Sequence, residues 1–471
     1  MRRIVRLVMV LGALSAFFVP AAFAAERMWV GFHDDPSFRW VDNRATRIES
    51  TAKNGSTIIR LLVGWNQTAP DGRPSTATDP FDPAYNFGDI DEAVRTAQAH
   101  DLEVMLTISG TPRWANGGKK ANVMPTRLAD FREFAQAIGS RYSGRHDNLP
   151  FVRFFSIWNE PNLNLFLTPQ FNRKGKSIGP RNYARLAAAG FAGVKAGNPL
   201  AKVAIGETSA RGRDKRVKGV SDTHSPGKFA ELVAKANRKL KFDAWAHHPY
   251  PFHPNSAPSQ VVKWPNVSLG SLPRFNKSLK RWFRGKKFSI WVTEYGHQTR
   301  PQDRLGVPYS TQATYIKRSL TLARNYPFVG MFIWFVYQDD PGQPWESGIY
   351  TSSGAAKNPS PGRFSSSARP LDARNAVYTF RRGTRSPQVL VAARKYCGDH
   401  AAGAMINVTW RVMRGSSQVA SGTQPAALRT DCTLPVRLDF TVARGQRYTA
   451  TFSLSDGNGM SATRTLSIRG T

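Results

Sequence analysis

Apolar and polar positions follow two different periods along this chain. Between residues 28 and 382, short apolar runs occur at 28–32, 57–63, 102–108, 151–157, 202–205, 242–246, 287–292 and 329–335. Their length and their β-branched and aromatic content are those of buried strands. Between them, at 90–99, 126–142, 180–196, 226–239 and 311–325, apolar residues recur every three or four positions, as on one face of a helix. Eight strands, each followed by a helix, predict a (β/α)8 TIM barrel. An open doubly wound sheet would want a glycine-rich phosphate turn after its first strand, and the sequence has none. Residues 351–370, rich in Ser, Gly, Pro and Ala, read as a loop, and 370–382 as the last helix. Beyond that the period shortens to two. Alternating runs at 389–396, 405–412, 436–442, 448–454 and 462–468 predict a C-terminal all-β, immunoglobulin-like sandwich. The expected division is a barrel over 25–384 and a sandwich over 385–471.

The first residues carry a different signal. Arg2, Arg3 and Arg6 precede an apolar run at 7–18, and Ala22-Phe23-Ala24 supplies a small-x-small cleavage site. Residues 1–24 therefore read as a signal peptide, and the mature chain as secreted, extracellular or associated with the cell envelope. The paired arginines lack the rest of a twin-arginine pattern. Nothing downstream is long and apolar enough to be a transmembrane segment. In an exported chain, Cys397 and Cys432 are expected to form a disulfide within the sandwich. Two cysteines without further ligand spacing are too few for a metal site, so no metal is expected.

The formal charge is +34. Such an excess attracts polyanions. Nucleic acid is disfavoured as a partner, because the chain reads as exported and shows no nucleic-acid-binding motif. An anionic glycan is one reading of the charge; compositional bias toward arginine is the other.

Candidate chemistry sits at strand ends, where barrel enzymes carry their functional groups. The fourth strand closes on Trp158-Asn159-Glu160 and the seventh on Thr293-Glu294-Tyr295. Each is an apolar run that aims a carboxylate out of its end. Two such carboxylates are what glycosidic bond cleavage needs, one to protonate the leaving oxygen and one to attack the anomeric carbon or activate water. Other ends add polar and aromatic groups: Arg60 in the second strand, Thr111-Pro112-Arg113-Trp114 after the third, His247-His248-Pro249-Tyr250 after the sixth and Trp334 in the eighth. Strand alternation turns His248 and Tyr250 to one face and His247 to the other. Arg60 and the Tyr250 hydroxyl would keep the nucleophile ionised. Trp114 and Trp334 offer flat faces for a sugar ring. Glu207 also lies near a strand end and reads as structural. Asp34 and Asp35 read as loop or cap residues, with His33 before them near enough to reach a site.

This set resembles clan A of the glycoside hydrolases, retaining (β/α)8 enzymes with Asn-Glu-Pro closing strand four, Glu closing strand seven, His-x-Tyr after strand six, Arg on strand two and Trp on strand eight. The resemblance covers about residues 28–382. Thr111-Pro112-x-Trp114 and Trp158-Asn159-Glu160-Pro161-Asn162 are most like family 39, with family 5 close behind. It implies Glu160 as general acid/base and Glu294 as nucleophile. It further implies Asn159 at the sugar 2-hydroxyl, with Arg60, His248, Tyr250 and Trp334 in support. It implies a β-linked poly- or oligosaccharide substrate and no cofactor. Transglycosylation, or a carbohydrate-binding or adhesion protein on the same fold, remain the alternatives at this point. Basic loops at Arg173-Lys174-Gly175-Lys176 and from Arg211 to Lys218 fall on the expected active-site face, as a solvated surface or as a rim selecting an anionic glycan.

Overall fold

The computed structural model describes residues 28–146, 149–342, 345–368, 377–393, 403–429, 433–457 and 461–471. The segment read as a signal peptide and the expected disulfide of Cys397 and Cys432 lie outside them. Eight parallel strands form a closed barrel in chain order. They are β1 Trp29–His33, β2 Ile58–Gly64, β3 Glu103–Ser109, β4 Phe154–Ile157, β5 Lys202–Ser209, β6 Ala244–His248, β7 Ser289–Val292 and β8 Val329–Phe335. Each strand is followed by helix: α1 Arg44–Lys53, short α2 Trp65–Thr68 and α3 Gly88–Ala99, α4 Leu128–Arg141, α5 Gly179–Gly197, α6 Pro226–Ala236, α7 Leu272–Trp282, α8 Tyr309–Arg324 and α9 Ser360–Ala368. Among the described residues no helix is long and apolar enough to cross a membrane.

The strands are continuous apolar runs because both faces are covered. Outward side chains such as Ile59, Leu61, Val104, Leu106, Phe155, Ile157, Val203 and Trp245 build the core against the helices. Inward ones, Ile58, Met105, Phe154, Ala204, Ala244, Trp291, Met331 and Ile333, fill the barrel interior. That filling closes the barrel below and leaves its polar layer at the C-terminal ends of the strands.

Two local features set the height and angle of those ends. Helices α4 and α5 meet through glycines: a Cβ on Gly193 would stand 2.2 Å from the Arg132 carbonyl oxygen, and one on Gly197 2.2 Å from that of Gln136. Only glycine permits such a backbone approach. It seats α5 so that the buried Tyr183 hydroxyl donates to the carbonyl of Ile157 (2.8 Å) and accepts from the amide of Gly206 (2.7 Å). One side chain thus ties the end of β4, just before Asn159-Glu160, to β5, just before Glu207. Strand β5 bulges there. Its register against β6 shifts between Ile205 and Thr208, and Gly206 takes φ +104°. The bulge carries β5 on to Ser209, past the Ile205 end expected from sequence, and re-aims Glu207.

Other expectations are corrected. The last barrel helix is α9, inside the segment read as a loop, and not at 370–382. It buries Pro361, Phe364 and Ala368. Residues 369–376 are not described, and Val377–Phe380 is strand β9, paired in parallel with the C-terminal strand. The C-terminal sheet therefore starts before residue 385. It comprises β12 Ser417–Ala427, β11 Met405–Arg414, β14 Arg447–Ser455, β15 Ser461–Gly470 and β9, in that order. A second sheet pairs β10 Gln388–Ala392 with β13 Thr433–Arg437. Val389, Val391, Val408, Trp410, Val436, Phe452 and Leu466 fill the sandwich between them. An ion pair from Arg464 on β15 to Asp101 (2.6 Å) joins the sandwich to the turn after α3.

Tyr183→Phe removes one oxygen and leaves the Ile157 carbonyl and the Gly206 amide buried without that partner. The expected cost is about 1–3 kcal/mol in a urea melt, with kcat reduced because the ends of β4 and β5 are no longer tied. A variant with wild-type stability and kcat would show that the tie is dispensable.

Candidate active site

Arg60 stands at the centre of the polar layer. It points inward from β2, is fully buried, and uses every nitrogen. Its Nε donates to Thr107 Oγ1 on β3 (2.9 Å), which meets Ser156 Oγ on β4 (2.8 Å). Nη1 donates to Glu294 Oε1 and lies against His33 Nδ1, both at 2.6 Å. Nη2 donates to Asn159 Oδ1 (2.8 Å) and Glu207 Oε2 (3.3 Å). An arginine suits this position because its planar fork stays charged and presents several donors in fixed directions.

His248, also fully buried, is held on both ring nitrogens. Nε2 donates to Glu207 Oε2 (2.7 Å) and Nδ1 to Glu160 Oε1 (3.0 Å), with Glu294 Oε2 3.4 Å away. Burial alone would lower its pKa. The Glu294 charge and the hydrogen bonds to Glu160 and Glu207 outweigh burial and push it up to about 9. His247, on the opposite face as strand alternation predicts, meets Thr208 Oγ1 (2.9 Å) and the Val267 carbonyl (3.1 Å). Burial takes it down to about 3.

The three carboxyls of the layer now separate by environment. Burial would raise Glu294, but the charges of His248 and Arg60 hold it well below the usual carboxylate range. The Tyr250 hydroxyl donates to its Oε2 (2.9 Å). Burial would raise Glu207 too; Arg60 and His248 reverse it, and Thr293 Oγ1 adds a hydrogen bond (2.8 Å). Glu160 goes the other way, raised first by burial and further by the Glu294 charge, against the pull of His248. Charge balance gives the same answer. Arg60 and His248 are two cations and Glu294 and Glu207 two anions, so Glu160 is the carboxyl left to carry a proton.

Backbone strain marks the same residues. Trp158, Glu160 and Glu207 have φ of 72°, 37° and 45°, unfavourable for residues with a Cβ and maintained only where the surroundings over-determine them. Here the Trp158 indole donates to Phe166 O (2.7 Å), Leu163 N to Glu160 O (2.9 Å) and Gln170 to Pro161 O (2.8 Å). Asn162 Oδ1 accepts from the amide of Ser209 (2.9 Å), linking the loop after β4 to the end of β5.

The structure brings together Glu160, Glu294, Asn159, Arg60, His248 and Tyr250. It does not bring in Trp334. The inward residues of β8 are Met331, Ile333 and Phe335, so Trp334 faces the helices, fully buried, with its indole N–H on the Ser347 carbonyl (2.8 Å). The aromatic faces near Tyr250 are Phe335 (6.4 Å) and, edge-on, the half-buried Trp345 (4.9 Å). Trp114 is half-buried edge-on to Trp65 (5.4 Å), with its N–H on the Ala69 carbonyl (2.9 Å), apart from the carboxylate network. Sequence reasoning undervalued Glu207 and His33. The His33 Nε2–H faces Asp35 Oδ2 (3.0 Å), and Asp35 is fixed in turn by Arg39 (2.9 Å). Asp34 is a cap, accepting from the amides of Ser37, Tyr337 and Gln338.

One ligand atom each of Glu160, His248 and Glu294 lies within 4.8 Å of the others. The set has the composition of a metal site. Yet both His248 nitrogens are engaged, by Glu160 and by Glu207, and an imidazole held charged there has no lone pair for an ion. The nearest carboxyl oxygens of Glu160 and Glu294 thus lie within 4.8 Å of each other, a close pair of the kind that double displacement uses.

A closed parallel barrel with a glutamate at the ends of β4 and β7 defines the class: this is a retaining glycoside hydrolase of clan A. More narrowly, the chain belongs to glycosyl hydrolase family 5, whose cellulase profile matches residues 24–340. Among solved structures it is similar to a family 39 glycoside hydrolase from the gut symbiont Bacteroides cellulosilyticus WH2. Identity there is 17%, TM-score 0.54, with 92% of this chain and 82% of that one covered. It is also similar to GH5_18 from Streptomyces cattleya in complex with GlcNAc, at 12% identity, TM-score 0.50, and 80% and 87% coverage. Both likenesses are of fold. No curated protein matches the sequence.

Glu207→Gln removes one anion from the balance and makes the Glu160–His248 pair give up its proton more readily. The alkaline limb of the kcat/KM profile is expected to move to lower pH by about one unit, and Glu207→Asp to restore it in part. An unmoved limb with a uniformly lower rate would assign Glu207 to folding alone.

Proposed function

We propose that the chain is exported and hydrolyses β-linked bonds of a poly- or oligosaccharide by double displacement, with Glu160 as acid/base and Glu294 as nucleophile. The observation that carries this is the pair itself: two carboxyls within 4.8 Å of closest approach, one raised and one lowered. Glu160 gives its proton to the glycosidic oxygen as that oxygen leaves the anomeric carbon. Glu294 attacks the same carbon, and a covalent glycosyl-enzyme forms. Glu160 is then an anion facing the His248 imidazolium, which favours its ionised form for the second half. It takes a proton from water, the water oxygen bonds to the anomeric carbon, and the Glu294 ester bond breaks. Arg60 and Tyr250 each hold one oxygen of Glu294, so the attacking group is oriented before the sugar arrives. Asn159 spends its carbonyl on Arg60, and its NH2 group is left to donate to a sugar hydroxyl.

The preference for an anionic glycan rests on the two basic loops. Arg173, Lys174 and Lys176 after β4 are exposed, as are Arg211, Arg213, Lys215, Arg216 and Lys218 after β5. Arg211 reaches the Phe252 carbonyl (3.2 Å), two residues beyond Tyr250, which puts one cation beside the site.

Glu160→Ala and Glu294→Ala should each lower turnover by several orders of magnitude, and azide should rescue them with opposite products. In Glu160→Ala it captures the glycosyl-enzyme and gives the β-azide; in Glu294→Ala it attacks in place of the carboxylate and gives the α-azide. Wild-type rates in either variant would end the assignment. Separately, added salt should slow cleavage of an acidic glycan and leave a neutral aryl glycoside unaffected. Equal salt responses would remove the anionic preference.

A further inference from the structure

A second feature lies outside the barrel mouth. The furrow between α6 and α7 has a volume of about 600 Å3, within the range of ligand sites. Its walls include two half-buried indoles, Trp264 from the loop after β6 and Trp282 from the end of α7, with centroids 6.3 Å apart and planes tilted by 34°. Cations edge it. The Arg274 guanidinium lies 4.7 Å from the Trp264 centroid and that of Arg281 5.9 Å from Trp282. Lys228 and Lys277 complete the set. The one carboxylate in the lining, Glu231, is already paired with Lys228 (3.0 Å) and Lys235 (2.7 Å).

We propose that this furrow is a second binding site, distinct from the catalytic cleft, for an anionic oligosaccharide such as a polyuronate chain. The inference rests on the glycan-hydrolase reading of the cleft and adds a place where a charged polymer is held. Arg274, Lys277 and Arg281, beside an acid that Lys228 and Lys235 neutralise, select negative charge, and an indole face suits the C–H side of a pyranose ring. The basic helix is no membrane anchor. The apolar face of α7, Leu272, Phe275 and Leu279, is buried against the barrel, which leaves that helix only the half-buried Trp282 and no apolar face to lay into a lipid surface. A single-stranded nucleic acid wants flat, open stacking platforms. Here the planes of the two rings are tilted by 34°, which leaves no parallel slot between them for a base.

The furrow also connects to the active-site face. The amide of Gly227 donates to the Pro265 carbonyl (2.9 Å), that of Gly212 to Asn266 Oδ1 (3.0 Å), and that of Val267 to the Ala210 carbonyl (2.9 Å). The loop carrying Trp264 is thus stitched to the basic loop after β5, whose Arg211 reaches the loop beyond Tyr250. A polyanion lying in the furrow would meet cations on its way to the cleft.

Titration calorimetry on the full chain, with a β-1,4-linked hexamannuronate, neutral cellohexaose and a dT12 oligonucleotide as probes, tests this. The expected result is salt-sensitive binding of hexamannuronate. The exposed pair Lys277→Glu/Arg281→Glu should weaken it at least tenfold and change kcat/KM on a small neutral aryl glycoside less than twofold. Trp282→Ala should weaken hexamannuronate and leave dT12 unaffected; if that variant fails to fold, the charge-reversed protein decides alone. Wild type that binds no hexamannuronate, a charge reversal without effect, cellohexaose bound as tightly, or Trp282→Ala without effect on hexamannuronate would each overturn the site. Loss of binding in the furrow variants of a chain that cleaves no glycan would uphold the furrow and sink the catalytic reading. Cleavage with an inert furrow would do the reverse.

Discussion

The buried guanidinium of Arg60 is the constraint around which the polar layer is arranged. It touches Glu294, Glu207, Asn159, His33 and Thr107, which come from five other strands or their ends. A charge with no solvent is costly unless its partners are supplied. Removing one partner of such a buried pair typically costs about 3–5 kcal/mol. The layer therefore forms as a unit. His248 is the second cation, and with both in place the interior can hold two ionised glutamates and no more. Glu160 remains as the acid because the neighbouring sites have already been filled.

In the proposed cycle, this arrangement also accounts for one carboxyl that gives a proton and later takes one. Among the described residues Glu160 has one basic hydrogen-bond partner, His248, which already serves Glu207 through its other nitrogen, with the Arg60 charge acting from further off. Before reaction the Glu294 charge opposes ionisation of Glu160. Once Glu294 is esterified that opposition goes, while the His248 charge stays. The pKa of Glu160 must then fall, which suits it to act as a base. Glu207, fully buried and bonded to His248, would act by keeping His248 charged through both halves of the cycle.

Legibility of these features in the sequence followed burial. The eight strands could be read because each is apolar on both faces, and Glu160 and Glu294 because a charge closing such a run stands out. Glu207 did not stand out. Gly206 and the bulge interrupt the apolar pattern, so β5 seemed to end at Ile205, one turn of chain too early. Trp334 was assigned to the site by its residue type, although the alternation of Met331, Ile333 and Phe335 sets it on the other face. Helix α9, Ser-Pro-Gly-Arg-Phe-Ser-Ser-Ser-Ala, has the composition of a linker and is held by the burial of Ser360, Pro361, Phe364 and Ala368. Strand β12 pairs only with β11 and exposes most of its residues, so it lacks the apolar alternation that revealed its neighbours.

The charge of the chain divides accordingly. Inside the barrel, cations and anions are matched one for one, and the excess that makes the formal charge +34 lies elsewhere. It includes the exposed loops after β4 and β5 and the outer face of α7, where Arg274, Lys277, Lys280 and Arg281 are exposed, with Arg284 in the turn that follows. A matched interior is insensitive to salt because its partners are a few ångströms apart and dry. A surface excess in water is screened over about 8–10 Å at ordinary ionic strength. Under the proposed function, chemistry and capture are therefore separable in this fold: the neutral cluster around Arg60 would set the rate of bond cleavage, and cations outside that cluster the residence of an acidic polymer.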